Sequence, residues 1–368
     1  MTLIKKKIPV MNSESDYSAN DQGYFNSIGG SGLSVGSIKV NTINLARIAY
    51  EVITNSKLNY NSEYDIIKLY LDTIENEYCE KLKKQVKLNL MCLDVIRDTL
   101  IANKEKRGLL PNVADGLIDM KHMYNTIGVI GIYETLRAFQ NRLDLFKSTL
   151  NINIDSKYNY INTDVLGYIY YTNRSENFVK TLFSTIHEEI KQFILENNIN
   201  YSINIEQVPA ETAARKLMQK DKLSYPELTV DDLPLYGNQF IPLGIKATMQ
   251  ERVRVAALYD KFLNGGSIAH LNFESTLNTE QHWEYLNWIA REGLTYSALT
   301  TKISACKHNH GFFGNTCNIC GEPAVTTYAR IVGFYTSTGI TPEGKETKYG
   351  SWSTARKEEY KLRQWDEI

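Results

Sequence analysis

The chain has 368 residues, 43% hydrophobic and 23% charged, an ordinary globular balance. At roughly 150 residues per domain, that length suits two domains or one large α/β fold. Lys and Arg number 41 against 42 Asp and Glu, a formal charge of −1, which excludes a whole-surface nucleic-acid binder because phosphate neutralisation needs a basic excess or stripe. No apolar run approaches the roughly 18–20 residues that span a bilayer, and residues 1–10 lack the apolar core of a secretory signal. Five cysteines in this length do not make a disulfide framework, so a cytoplasmic protein is expected.

Residues 1–12 are basic and then briefly apolar, and read as an N-terminal extension unrelated to the rest of the chain. A stretch rich in Gly and Ser, with Gly29, Gly30, Gly32 and Gly36, predicts a loop whose backbone can approach another group closely. Residues 40–48 read as a buried strand running into a helix. From about 62 to 106 apolar residues such as Ile66, Leu69, Tyr70 and Ile74 recur three and four apart without a proline, which predicts a long helix ended by Gly108 and Pro111. Helices are also expected over 130–150, 176–197, 209–220, 248–263 and 279–294, and strands over 201–208 and 269–273. Alternating strands and helices argue for an α/β architecture of barrel type. The tail, with Trp352, Arg356, Tyr360, Arg363 and Trp365, predicts a packed C-terminal helix.

A small module interrupts this pattern. Cys317-Asn-Ile-Cys320-Gly321 is a knuckle in which two thiolates wrap a tetrahedral metal and the glycine permits the tight turn. Cys306 supplies a third sulfur and His310 or His308 the fourth ligand. Three sulfurs and one nitrogen suit zinc, and four protein ligands leave no open position, so a structural site is expected. Cys79 and Cys92 fall in the long helical pattern and read as packing residues; His122, His187 and His282 read as surface or helix residues.

After the knuckle comes Tyr328-Ala-Arg330-Ile331-Val332-Gly333-Phe334-Tyr335. Alone, a glycine among apolar residues marks a bulge or turn in a buried strand. Behind a cysteine knuckle, the segment resembles the glycyl-radical loop of the anaerobic (class III) ribonucleotide reductases. A backbone radical needs planarity and delocalisation into both amides, which a side chain would hinder, and glycine alone lacks Cβ. The resemblance extends to the blocks Phe25-Asn-Ser-Ile-Gly-Gly30, Val35 to Glu51, Tyr124-Asn-Thr-Ile-Gly128-Val-Ile-Gly131-Ile-Tyr-Glu134 and Asn204-Ile-Glu206-Gln-Val-Pro209-Ala210-Glu211-Thr212, in the family's order, over about residues 13–368. Gly265-Gly266-Ser267 also matches, and Asn238 stands at the family's Thr-Asn-Ser position, where Gln239 replaces the Ser.

The resemblance implies half of a glycyl-radical-enzyme α/β barrel over 13–303, a zinc ribbon over 304–324, and the radical loop and tail over 325–368. It implies Gly333 as the radical site and Asn44, Pro209, Ala210, Glu211 and Thr212 as substrate contacts. Pro209 at the first helical position, with the free N–H groups after it, suits the family's phosphate-holding loop. The implied substrate is a ribonucleoside triphosphate, with formate the usual reductant. A separate iron–sulfur, S-adenosylmethionine activase would install the radical, and the assembled enzyme would be a homodimer.

The family's thiyl cysteine, which stands shortly before the glycine-rich stretch, has no counterpart here, because no cysteine precedes Cys79. The ATP-cone and the first half of the barrel are also not found. The expectation is the C-terminal half of a split reductase, inactive alone. A partner chain with the N-terminal half would carry the thiyl cysteine and cover the open strand edges and apolar faces. Another glycyl-radical enzyme is disfavoured by the knuckle and the Pro-Ala-Glu block, and a small radical-bearing spare part by the length. Residues 8–13 weakly resemble the end of an intein but lack its penultimate His, so non-covalent assembly is favoured over splicing.

Overall fold

The computed structural model describes residues 36–56, 64–107, 110–120, 123–151, 154–208, 210–229, 233–331 and 335–366. The extension over 1–12, Gly29, Gly30, Gly32, Gly108, His122, Pro209 and Gly333 lie outside them.

Strand β1 (Ser37–Asn44) runs straight into helix α1 (Leu45–Asn55), as the pattern over 40–48 predicts, but among the described residues it is an edge strand in which only Ile43 is buried. Asn44 closes the strand and caps the helix, its Oδ1 accepting from Arg47 N at 3.1 Å. Helix α2 (Tyr64–Arg107) is 44 residues long, about 66 Å at the helical rise. It buries Ile67, Leu71, Ile74, Tyr78, Leu82, Val86, Leu90 and Leu93, the apolar stripe that the three- and four-residue spacing implies. The helical turn α3 (Pro111–Ala114) leads to β2 (Tyr124–Ile130) and α4 (Ile132–Leu150). The ribbon of β3 (Ile161–Thr163) and β4 (Ile169–Tyr171) precedes α5 (Asn173–Glu196), β5 (Ile203–Gln207) and α6 (Glu211–Ser224). Next in the chain are α7 (Met249–Asp260), β6 (Ala269–Phe273), α8 (Thr279–Glu292) and β7 (Ser297–Thr301).

These strands form an arc. β1, β2 and β5 pair in parallel, as do β6 and β7. A parallel bridge from Glu206 to Gly266, with Gly265 N donating to Ile205 O at 2.8 Å, joins the two sets. That approach requires a glycine, since a Cβ on Gly265 would stand 2.7 Å from Ile205 O. Side chains alternate across the arc. Ile43, Ile127, Val129, Ile203, Ile205, Leu271 and Phe273 pack into the main core with residues of α1, α2, α4 and α5. The register sets Thr42, Thr126, Gly128, Asn204, Glu206, His270, Asn272 and Thr300 on the opposite face. The fold is therefore α/β, a parallel arc of barrel type with one apolar and one polar face.

A second sheet lies C-terminal to the arc, in the order β12-β11-β10-β8-β9, with antiparallel pairings. Its strands are β8 (Ile303–Cys306), β9 (Gly311–Phe312), β10 (Ala324–Arg330), β11 (Tyr335–Ile340) and β12 (Glu346–Gly350). Helix α9 (Thr354–Leu362) supplies the expected C-terminal helix, burying Arg356 and Tyr360. No helix among the described residues is long and apolar enough to cross a membrane.

Two local expectations fail. Helix α6 begins at Glu211 with Ala210 as its N-cap, so Pro209 precedes the cap and is not the first helical residue. The strand-to-helix reversal is made by Ala210 itself, at φ 49 and ψ 0, a left-handed conformation that costs a residue with a Cβ of the order of 1 kcal/mol. Cys92 is exposed, so its helical phase carries it away from the packing that half-buried Cys79 joins.

Candidate functional site

The cysteine knuckle forms where β8 ends. Cys306 closes that strand, a turn through Asn309 at φ 63 opens β9, and Gly321 at φ 75 ends the Cys317–Cys320 turn. Gly321 N donates to Cys317 O at 2.9 Å and Ile319 N to Cys317 Sγ at 3.4 Å, so the backbone wraps the first thiol of the pair. Cys306 and Cys320 sulfurs stand 3.7 Å apart, and Cys317 Sγ lies 3.6 Å from His310 Nδ1. A tetrahedral zinc with ordinary bond lengths has sulfur–sulfur edges of about 3.8 Å and sulfur–nitrogen edges of about 3.5 Å. The donor set therefore fits zinc. His308 also points its ring into the cluster, since the ligand atoms of Cys306, His308, His310 and Cys320 all lie within 4.8 Å of one another. That four-atom group contains both histidines and leaves out Cys317, whose sulfur is placed by its contact with His310, so the geometry does not choose between His310 and His308 as the nitrogen ligand.

From the knuckle, β10 runs to Arg330, which pairs with Tyr335 at the start of β11. Val332, Gly333 and Phe334 lie between them in sequence and outside the described residues; Arg330 and Ile331 before them and Tyr335 after them are held by specific contacts. Asn238 Nδ2 donates to Ile331 O at 3.0 Å, and Arg363 Nη1 to Arg330 O at 2.8 Å. The Arg330 guanidinium sits over the Tyr335 ring, 4.5 Å from its centre, and Thr301 N on β7 donates to the Tyr335 hydroxyl at 3.3 Å. Arg363 is in turn clamped by Glu359 through contacts of 2.8 and 2.9 Å. Burial works against ionising Glu359, but Arg363 and Arg356 outweigh it and hold its carboxyl below the usual range.

The flanks dock beside the polar face of the arc. Gln239, where the family has Ser, ties the Asn238 turn to β6: its amide donates to Ile268 O at 2.9 Å and its oxygen accepts from His270 N at 3.1 Å. His270 is buried against the Ile331 backbone, and burial together with Arg363 and Arg330 pushes its pKa down to about 3, so the ring is neutral. Asn204 Nδ2, Asn272 Oδ1 and Thr300 Oγ1 are buried with no hydrogen-bond partner among the described residues. Unsatisfied polar atoms are costly in a packed core and mark a surface shaped for something else to meet.

The expected substrate contacts lie at the carboxyl ends of the parallel strands, the end where open α/β sheets bind ligands. Half-buried Asn44 ends β1; half-buried Ala210 and exposed Thr212 open α6 after β5. The helix has no side-chain cap, which leaves its first N–H groups for an external acceptor. The Asn44 amide donates to Asp221 Oδ2 at 2.7 Å, a partner that sequence reading missed. It also missed Glu134 in the first turn of α4, whose Oε1 accepts from Gly237 N at 2.9 Å. Burial raises the Glu134 pKa to about 7. Polar residues within otherwise apolar segments, such as His270 and Asn272 alternating along β6, were the signal available for such sites.

The family model described as anaerobic ribonucleoside-triphosphate reductase matches residues 8–365. A solved anaerobic ribonucleotide reductase is 32% identical with a TM-score of 0.73, over 93% of this chain and 47% of its own. Two Thermotoga maritima anaerobic ribonucleotide reductase structures, one with glycerol in the active site and one in complex with dATP and CTP, are each 32% identical with a TM-score of 0.69, over 92% of this chain and 46% of theirs. The chain thus spans just under half the length of these structures. No curated protein matches it.

Proposed function

Because the chain belongs to the anaerobic ribonucleoside-triphosphate reductase family, we propose that it is the radical-bearing C-terminal half of such an enzyme, reducing ribonucleoside triphosphates to deoxyribonucleotides. The observation that carries this reading is the anchoring of Arg330, Ile331 and Tyr335, on either side of the Gly333 segment, beside a buried polar face with side-chain atoms that lack partners. A radical stored at Gly333 supplies the oxidising power for turnover. The residues of this chain do the rest: Asn238 and Arg363 hold the backbone before Gly333, and the uncapped start of α6 at Ala210, Glu211 and Thr212 receives the triphosphate after Pro209. Asn44 contacts the nucleotide at the end of β1. Zinc held by Cys306, Cys320 and His310 or His308, with Cys317 as the third sulfur beside His310, fixes the start of β10, and through it the register of the loop.

The parallel arc is half of a closed barrel, and the proposed complement is an N-terminal partner chain that carries the thiyl cysteine. In this reading residues 13–303 form the barrel half, 304–324 the zinc ribbon and 325–368 the radical loop and tail. A separate iron–sulfur, S-adenosylmethionine activase installs the radical, the assembled enzyme is a homodimer, and it works in the cytoplasm.

The test is anaerobic co-expression of this chain with the N-terminal half and the activase, followed by electron paramagnetic resonance and an assay of CTP reduction. The expected result is a glycyl doublet that vanishes in Gly333→Ala, together with deoxynucleotide formation. A doublet without turnover would identify a radical-bearing spare part, and no doublet in a zinc-loaded complex would make Gly333 a structural glycine.

A further inference from the structure

Asp221 stands in the third turn of α6 with its side chain wholly buried. Its Oδ2 accepts from Asn44 Nδ2 at 2.7 Å and from the Tyr236 hydroxyl. Its Oδ1 accepts from Arg47 Nε and pairs with Nη2 of the same guanidinium. Arg47 also donates its backbone N–H to Asn44 Oδ1 at 3.1 Å. The Asn44 amide is therefore read at both ends. A carboxylate, which can only accept, faces its NH₂ group, and a backbone donor faces its oxygen. Turning the amide over would oppose two acceptors on one side and two donors on the other. One Nδ2 hydrogen goes to Asp221, and the described residues offer no acceptor for the second.

The same carboxylate belongs to the helix whose first turn is left uncapped. Ten residues separate Asp221 from Glu211, about 15 Å along one rigid helix. Asp221 thus ties the end of β1 to the later turns of α6, and only through that rigid helix to its start, while Tyr236 brings in the segment that leads to Asn238.

We propose that Asp221 is a positioning residue: it fixes the Asn44 amide toward the bound nucleotide and keeps that amide in register with the phosphate-binding start of α6. This rests on the reading of Asn44 and the α6 start as nucleotide contacts. A carboxylate is needed because an amide at 221 would turn an NH₂ group on either Asn44 or Arg47.

The test is a double-mutant cycle in the assembled, activated enzyme with CTP as substrate. Asp221→Asn should lower kcat/KM about 10- to 100-fold, mostly in kcat, as misorientation of a bound reactant does. The glycyl doublet and zinc content should match those of the parent enzyme. Because Asp221 acts through Asn44, Asn44→Ala with Asp221→Asn should be no worse than Asn44→Ala alone, within about twofold. Multiplicative losses would overturn the proposal, as would a doublet that falls in step with turnover. Should Asp221→Asn not fold, Tyr236→Phe removes one bond to the same carboxylate. It should show a smaller loss that likewise disappears in the Asn44→Ala background, and its persistence there would overturn the proposal too. Parental kcat/KM in Asn44→Ala with the doublet intact would instead refute the underlying reading of Asn44.

Discussion

The strand arc and the cysteine knuckle are neighbours in sequence but are held together by different physics. The arc buries an extensive apolar layer, in which Tyr78, Phe139, Tyr160 and Phe178 meet edge to face or tilted at 5.2 to 6.3 Å. The knuckle's own cluster is Cys306, Phe312, Cys317 and Ala324, two of which are metal-ligand candidates. Four such side chains cannot offset the entropy of ordering two hairpins, so a metal bound there would supply what burial does not. The lesson is a division of labour. The arc is packed by burial, while the sheet that carries Arg330 and Tyr335 has a candidate metal cluster at one end and a buried ion pair at the other.

The largest expected effect tests the metal end. Cys306→Ser with Cys320→Ser should abolish binding of one equivalent of zinc and open residues 304–324 to proteolysis, while the far-ultraviolet signal and main unfolding transition of the arc persist. Simultaneous collapse of both regions would erase the distinction. Next comes the ion pair. Glu359 and Arg363 are buried, at 6% exposure each, so Glu359→Ala strands a guanidinium in the interior. The cost should be about 3–5 kcal/mol, the range for breaking a buried pair by removing one partner. Hydrogen exchange should show it in β10, β11 and α9 and leave β1, β2 and β5 protected; uniform loss of protection would contradict the local assignment.

A third experiment sharpens the comparison from the arc's side. Glu134 is wholly buried and burial lifts its pKa from an ordinary 4.5 to about 7. Between those values the folded state binds the proton more tightly than the unfolded one, so stability falls as pH rises from about 4.5 and levels off above about 7. The full loss is roughly 3 kcal/mol. Glu134→Gln keeps an acceptor for Gly237 N and removes the titration. It should therefore be more stable than the parent at pH 8 and nearly equal to it at pH 4.5. A pH-independent difference in thermal unfolding would show that Glu134 is solvated.

The arc was legible in the sequence because its signals are periodic. The spacing of Ile66, Tyr70 and Ile74 gives α2, and the alternation of apolar Ala269, Leu271 and Phe273 with polar residues gives β6. The knuckle was legible because Cys317 and Cys320 sit at ligand spacing beside a glycine. The C-terminal sheet was not, because Thr and Ser fill β10 and β11 and its buried face is held by hydroxyl pairs such as Thr327 with Thr338 at 2.9 Å. The left-handed turn at Ala210 was missed because nothing in an alanine announces one, and Asp221 because its partners Asn44 and Arg47 lie more than 170 positions away.

The smallest effect concerns Gly128, on the polar face of β2. A Cβ there would stand 2.7 Å from Val208 Cγ1, 2.9 Å from Thr42 Oγ1 and 3.1 Å from Val40 Cγ1. All three neighbours are β-branched side chains on the adjoining strands or their ends, with little rotamer freedom to yield. Gly128→Ala should therefore cost about 1–2 kcal/mol by overpacking, even though alanine relieves the entropic cost of a glycine within a strand. The strain would fall between β1 and β5, on the face that carries Asn44, so CTP turnover should drop more than stability does. Zinc content and the protection of β10 should be unchanged. A stabilised Gly128→Ala with full turnover would mean that this face has slack, and that the contrast between a rigid arc and a metal-dependent loop has been drawn too sharply.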